Sequence, residues 1–133
     1  MKKGVNAWIY PSNFVVEKVL ETSCELGYDG VELNLDEKNI EATKKERKAI
    51  ADKALSLGLE LPSLCSGLFW KYNLASPDEK VRKKGIDILK KGCEFSANIG
   101  APVFLVVPAV AVPEVSYQKM WDMSMKGILE AAP

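Results

Sequence analysis

The sequence contains no histidine. Within this chain, that absence excludes a serine–histidine–aspartate or cysteine–histidine catalytic site and any histidine-ligated zinc. Acid–base chemistry in these 133 residues would have to use Asp, Glu, Lys, Tyr or Cys side chains.

Cysteine is scarce as well. Cys24, Cys65 and Cys93 are odd in number, lie far apart and form no CxxC pair. This usage fits a reducing compartment better than a secreted domain held together by disulfides. The sequence also lacks an apolar run of about 18 residues and a charged-then-apolar leader. We therefore expect a cytoplasmic protein that does not enter the membrane.

The chain has no excess of charge, since 18 Lys and Arg residues balance 18 Asp and Glu residues. Nucleic-acid binders and membrane-surface proteins usually carry a basic excess, so neither nucleic acid nor a membrane is an expected partner. The lysine-rich runs 44–48 and 80–84 are expected to be solvated helix faces. With 47% apolar residues, the chain can form a single domain with its own core.

A repeated unit is present, in which a helical stretch ends at a glycine and an apolar strand follows. The glycines at the helix ends are Gly27, Gly58 and Gly100. The candidate N-terminal caps of helices are Thr43, Ser76 and Ser116. The pattern predicts strands at 3–9, 30–35, 59–65 and 102–107, and helices at 13–27, 41–58, 77–100 and 116–131.

Two architectures compete for these four βα units. A doubly wound nucleotide-binding sheet needs a glycine-rich turn after its first strand, and 8-WIYPSN-13 contains no glycine. Along the second strand, Val31 and Leu33 alternate with Glu32 and Asn34, whereas a sheet covered by helices on both faces is more uniformly apolar. The predicted fold class is therefore α/β, with a parallel sheet that forms half of a (β/α)8 TIM barrel.

This alternation also predicts where side chains point. The residues expected to point into the barrel lumen are Asn6, Trp8 and Glu32, and those expected to point toward the helices are Val5, Val31 and Leu33.

Two segments carry a family resemblance. The element 27-GYDGVELNL-35 and the stretch 62–109, with its SGLFWKY loop, SPDEKVRKKG helix start and VVPA strand end, resemble the sugar phosphate isomerase/epimerase group of the xylose isomerase-like TIM barrels. Within that group the chain is most similar to hexulose-phosphate isomerases and ketose 3-epimerases. Barrels of this family have eight βα units and this chain supplies four, so the resemblance implies the N-terminal half of such an enzyme.

The resemblance implies a reaction as well. Family members move a proton next to the carbonyl of a ketose through an enediolate, with a divalent metal, Mn²⁺, Mg²⁺ or Co²⁺. Their metal is held by two glutamates, an aspartate and a histidine on the later strands, which have no counterpart here. We therefore expect neither a catalytic residue nor a metal ligand in this chain, and a sugar or sugar phosphate as the substrate of the intact enzyme.

Six residues are candidates for substrate binding because they lie on the lumen side of a strand or in a loop at its C-terminal end, where barrel active sites are found: Asn6, Trp8, Tyr10, Glu32, Ser66 and Trp70. Trp70 would stack on a sugar face; alternatively, Phe69 and Trp70 close the end of the core. Glu32 would bind substrate hydroxyls or an active-site Lys or Arg; alternatively, it is a lumen carboxylate satisfied within the protein.

A half-barrel leaves its first and fourth strands unpaired, and 102-PVFLVV-107 is entirely apolar. The open lumen is expected to expose Trp8, Leu64 and Phe104 or their neighbours. We therefore predict a homodimer or larger assembly that uses the fourth strand or the lumen face. A different class of function is a non-catalytic half-barrel that works by self-association or with a separate C-terminal half.

Overall fold

The computed structural model describes residues 1–132 and contains a four-stranded parallel sheet in the order β1-β2-β3-β4. The strands are β1, Gly4–Asn6; β2, Gly30–Leu35; β3, Leu64–Ser66; and β4, Phe104–Leu105. The helices are α1, Val16–Glu25; α2, Lys44–Ser56; α3, Glu79–Ile99; and α4, Tyr117–Ala131. Neighbouring helices contact each other in chain order. The predicted α/β class and the order of elements are confirmed.

Side chains in the sheet point in the predicted directions. Val5 pairs with Val31, and both belong to the core between the sheet and the helices. Asn6 pairs with Glu32, and their side chains are hydrogen-bonded on the opposite side of the sheet. We call that side the lumen face; its polar members are Asn6, Glu32, Asn34, Ser63 and Cys65.

Three strands are shorter than predicted, and only β2 has the predicted bounds. The first strand ends at Asn6 because the Asn6 side chain accepts a hydrogen bond from the Trp8 backbone and starts a 3-10 turn over Ala7–Ile9. The third begins only at Leu64, since Pro62 has no N–H for the ladder. The fourth is reduced to Phe104–Leu105 between Pro102 and Pro108.

The helices also begin and end within their predicted bounds, and most of their predicted caps are present. The three helix-end glycines adopt the left-handed conformation, with φ of 73°, 70° and 76° at Gly27, Gly58 and Gly100. Thr43 and Glu46 form a capping box, and Ser116 caps α4 by accepting from Lys119 N. The N-terminal cap of α3 is Asp78, not Ser76 as predicted, because the Asp78 carboxylate accepts from Lys80 N.

The lysine-rich run 44–48 is solvated except at one position. Arg47 is 7% exposed, its guanidinium lies 5.0 Å from the centroid of the Phe95 ring, and its Nη1 donates to Glu94. The prediction of a wholly solvated face is therefore wrong at Arg47, since a guanidinium can stack flat on an aromatic ring between two helices.

Leu64 and Phe104 face the helices, which corrects the prediction that the open lumen exposes them. Leu64 is fully buried, and the Phe104 ring reaches α3 at Gly92, where a β-carbon would lie 2.1 Å from Cε1 of that ring. Leu105, the neighbour of Phe104, pairs with Cys65 and so shares the lumen face, where it is exposed.

Exposed apolar side chains concentrate at the two ends of the half-barrel. At one end α4 presents a stripe with helical spacing, which we call the α4 stripe: Tyr117, Trp121, Met125 and Leu129. The stripe faces away from α3, because the groove between α3 and α4 is lined by Lys119, Met123 and Lys126 instead. At the other end Val15 and Leu26 flank α1. None of the helices in the described part of the chain is long and apolar enough to cross a membrane.

Candidate functional site

Glu32 is the centre of a hydrogen-bond network on the lumen face. Its Oε1 accepts from Asn6 Nδ2 on β1, and its Oε2 accepts at 2.6 Å from the hydroxyl of Ser63, just before β3. The three side chains are half-buried. Since a carboxylate has about four acceptor positions, the two bonds within the protein leave Glu32 able to accept hydrogen bonds from a ligand.

Asn34, two residues further along β2, connects Trp8 with Cys65. With its amide oxygen turned toward Trp8, that oxygen accepts from the backbone N–H at 3.1 Å and from the indole N–H at 2.8 Å. The other end of the amide then lies 2.7 Å from Cys65 Sγ. The lumen face is therefore a continuous polar network across β1, β2 and β3.

Cys65 is fully buried within this network. Burial is the main cause that raises the pKa of its thiol, from 9.0 to about 11. The hydrogen bond from Asn6 opposes this shift and the Glu32 carboxylate adds to it. The thiol is therefore neutral near pH 7, which makes it a structural group rather than a nucleophile.

A cavity of about 330 Å³ opens at the C-terminal ends of β1 and β2. Trp8, Tyr10 and Asn34 line it, together with Asp36 and Gly67 from the next two loops. This is the end of the sheet where barrel active sites lie. A larger groove of about 620 Å³ lies between α3 and α4, and none of the six predicted site residues lines it.

Tyr10 and Ser66, two of the predicted site residues, make their hydrogen bonds outside the lumen-face network. The Tyr10 hydroxyl lies 2.7 Å from the hydroxyl of Ser23 on α1, and its ring stacks on Phe14. Ser66 is buried; its hydroxyl donates to Leu35 O and accepts from Leu68 N. Tyr10 still lines the cavity, whereas Ser66 faces away from the lumen.

The aromatic segment after β3 divides its side chains between the core and the surface. Phe69 is fully buried and its ring centroid lies 6.2 Å from that of Phe104, so it closes the end of the core. Trp70, at the end of the 3-10 turn Leu68–Trp70, is 63% exposed. It does not line the cavity beside Trp8.

The set of six predicted site residues missed three members of the network: Asn34, Ser63 and Cys65. Asn34 was recognisable from its alternation with Leu33 and Leu35. Ser63 and Cys65 could have been found from the positions that alternate with the apolar Leu64, once the register of β3 was known.

The described residues do not fit the divalent metal that the resemblance implies. Within residues 1–132, no three side chains of the types His, Cys, Asp or Glu lie close enough together to hold a metal ion. Glu32 is a single carboxylate whose two oxygens already accept hydrogen bonds, and a hard cation needs several oxygen ligands.

Comparisons with known proteins identify the family. The model of the xylose isomerase-like TIM barrel family matches residues 20–133. SgbU of Haemophilus influenzae is 26% identical over 130 residues, a match that covers 94% of this chain and 44% of SgbU. The L-ribulose-5-phosphate 3-epimerase UlaE of Salmonella heidelberg is 29% identical over 110 residues, covering 79% of this chain and 37% of UlaE.

Solved structures agree on the fold. A D-psicose 3-epimerase determined with D-fructose matches with a TM-score of 0.78 at 21% identity, covering 99% of this chain and 47% of that one. The D-psicose 3-epimerase of Clostridium cellulolyticum, determined with D-tagatose, matches with a TM-score of 0.71 at 18% identity, covering 98% and 47%. The chain thus spans less than half the length of these relatives. It belongs to the xylose isomerase-like TIM barrel family and represents the N-terminal half of that barrel.

Proposed function

We propose that this chain is the N-terminal, substrate-binding half of a metal-dependent sugar or sugar-phosphate isomerase/epimerase that acts on a ketose. The observation that carries the proposal is the polar network of the lumen face, which contains Glu32 and whose member Asn34 also lines the cavity at the strand ends. Family membership and the 3-epimerase relatives support the substrate class. The proposal places the protein in the cytoplasm, for which its free cysteines are the support.

Five of the six predicted site residues, all except Ser66, have a role in this proposal. Glu32 accepts hydrogen bonds from sugar hydroxyls, with Asn6 and Ser63 holding its carboxylate in place. Trp8 offers its ring to the apolar face of the sugar, and Trp70, which is exposed in the loop after β3 outside the cavity, would have to turn toward a bound sugar to contact it. Tyr10 lines the cavity wall. In the intact enzyme a divalent metal would polarise the ketose carbonyl; the residues that would hold it and transfer the proton are assigned to the other βα units of the barrel and not to this chain.

The chain alone is expected neither to bind Mn²⁺ tightly nor to epimerise ketoses, because it lacks a set of hard-cation ligands. Fused to the C-terminal half of UlaE, it is expected to gain turnover of L-ribulose 5-phosphate. Glu32→Ala in the fusion is expected to lower kcat/KM by about 10- to 100-fold, which corresponds to losing hydrogen bonds to a charged group. Turnover assays and calorimetric titration with Mn²⁺ measure these outcomes.

The matched control is Glu60→Ala, which removes an exposed carboxylate that pairs with Lys2. It is expected to leave turnover of the fusion unchanged. Sub-micromolar, one-to-one Mn²⁺ binding by the 133-residue chain would contradict the proposal that the metal ligands lie outside it. A folded, active fusion in which Glu32→Ala has no effect would contradict the role of Glu32.

A second candidate function, association without catalysis, is favoured by the exposed apolar ends. Leu105 lies on the edge strand β4, and the α4 stripe lies on the face of the last helix that α3 does not cover, so both are open to the next βα unit of a barrel. A second copy of the chain, or a separate C-terminal half, can cover both surfaces. Self-association fits a two-fold arrangement in which β4 of each copy meets β1 of the other.

We therefore predict that the isolated chain forms a homodimer or larger assembly, with a mass at least twice the 14.7 kDa of one chain. Leu105→Lys is expected to dissociate it, because a charge would replace an apolar contact beside the strand edge. Light scattering coupled to gel filtration measures the mass. Leu55→Lys is the control, since Leu55 is exposed on α2 away from both ends. A folded monomer at micromolar concentration would refute the prediction.

A further inference from the structure

Trp8 is an exposed residue whose two N–H groups are both hydrogen-bonded within the protein. It is 58% exposed. Nevertheless its backbone N–H donates to Asn6 Oδ1 at 2.7 Å, and its indole N–H donates to the Asn34 amide oxygen at 2.8 Å. An exposed indole that bonds only to water can change rotamer at little cost. Here the indole is bonded to Asn34 on β2, an inner strand of the sheet.

Asn34 is itself held at both ends. It lies on β2, which is paired with β1 on one side and β3 on the other. Its backbone carbonyl accepts from Asn39 Nδ2 at 2.8 Å, and its amide lies 2.7 Å from the sulfur of the fully buried Cys65. An acceptor fixed in this way can hold its donor in one orientation.

The edge of the Trp8 ring lies over Gly67 at the start of the loop after β3. A β-carbon on Gly67 would be 3.6 Å from Cζ2 of the ring, so the backbone of that loop supports the ring from one side. The ring lines the cavity, whose other lining groups include the polar side chains of Asp36 and Asn39. An apolar surface beside polar groups suits a sugar, which has both C–H and O–H faces.

We infer that Asn34 is a positioning residue that fixes the Trp8 indole as a preorganised stacking surface for a sugar; the sugar as ligand rests on the proposed function. A ring that is already fixed loses less conformational entropy when a ligand binds, which favours binding. Asn34 acts through Trp8 and does not itself need to touch the ligand. This role separates it from Glu32, which meets hydroxyl groups directly.

The first test uses the unaltered chain and Trp70 as its internal control, because Trp121 lies in the α4 stripe that self-association would cover. Trp70 is 63% exposed, similar to Trp8. Exchange of each indole N–H with water is measured by ¹⁵N NMR, with signals assigned from Trp→Phe variants. The indole of Trp8 is expected to exchange at least about tenfold more slowly than that of Trp70. Equal rates for Trp8 and Trp70 would overturn the inference.

Variants then test whether Asn34 is the cause. Asn34→Ala is expected to bring Trp8 exchange to the rate of Trp70, whereas Asn34→Asp, which keeps an acceptor oxygen, retains slow exchange. Ser63→Ala is the matched control, because it removes another hydrogen bond of the same face without touching Trp8. Slow exchange that persists in a folded Asn34→Ala chain would overturn the inference. If Asn34→Ala does not fold, the exchange rates of the Trp8 indole in the unaltered chain and in Asn34→Asp test the inference.

Titration with D-fructose separates this inference from the proposed function. A ketose that stacks on Trp8 is expected to shift its indole signal selectively, and glycerol at equal mass concentration is expected not to. A protected Trp8 indole with no selective response to D-fructose or D-tagatose would overturn the sugar-stacking role and count against the proposed function. The control of Trp8 by Asn34 is judged by the exchange rates alone.

Discussion

Replacing Gly92 by alanine is expected to destabilise the chain by about 3 kcal/mol, as overpacking of a core contact does. A β-carbon at this position would lie 2.1 Å from Cε1 and 2.4 Å from Cζ of the Phe104 ring. The ring cannot retreat freely, because Phe69 lies against it at the end of the core. The loss exceeds the gain of up to about 1 kcal/mol that alanine brings to a helix interior. Urea denaturation followed by circular dichroism measures the change.

Two further variants separate the clash from other effects of the substitution. Phe104→Leu removes the ring atoms that would collide with the new β-carbon. The double variant Gly92→Ala/Phe104→Leu is therefore expected to recover more than half of the lost free energy of unfolding, measured relative to Phe104→Leu alone. A double-mutant cycle quantifies this coupling. Gly127→Ala on α4 is the matched control; its β-carbon would meet Leu74 only at 3.3 Å, and a change within about 1 kcal/mol is expected. A stable Gly92→Ala chain would show that α3 and β4 are not in close contact.

The sequence predicted those features of the fold that depend on local chemistry. The bounds of β2 follow from strict alternation over Gly30–Leu35, and the three helix-end glycines follow from the need for positive φ. The orientation of two candidate site residues was predictable in the same way. Asn6 and Glu32 lie on the lumen face because neighbouring parallel strands bring equivalent positions side by side. Trp8 lies in a 3-10 turn and is held beside them by its hydrogen bonds to Asn6 and Asn34.

The remaining features depend on tertiary contacts that a local pattern does not contain. Asn6 ends β1 by capping a turn, although the alternation continues to Ile9 in the sequence. Pro62 interrupts the third apolar run, so the register that puts Cys65 beside Asn34 is set by pairing with β2. Arg47 is buried because Phe95 of the neighbouring helix provides a ring for it. Each of these outcomes needed a partner distant in sequence.

The buried thiol of Cys65 is expected to make the stability of the chain fall between pH 9 and pH 11. Its pKa is raised in the folded state, so the folded chain keeps a proton that the unfolded chain has already released. The stabilisation is fully present below the unfolded pKa, near 9, and is lost as pH rises to the folded value of about 11. Between pH 8 and pH 10.5 this loss amounts to about 2 kcal/mol.

Comparison with Cys65→Ser isolates this effect, because lysine and tyrosine titrations are common to both chains. The difference in free energy of unfolding between the two is expected to shrink by about 2 kcal/mol from pH 8 to pH 10.5, measured by urea denaturation. Cys93→Ser, which replaces an exposed thiol, is the matched control. The difference in free energy of unfolding between it and the unaltered chain is expected to stay constant over this pH range. A pH-independent difference for Cys65→Ser would mean that water reaches the thiol through the open lumen face. In that case the other half of the barrel would be needed to exclude water from the network of Asn6, Glu32 and Asn34.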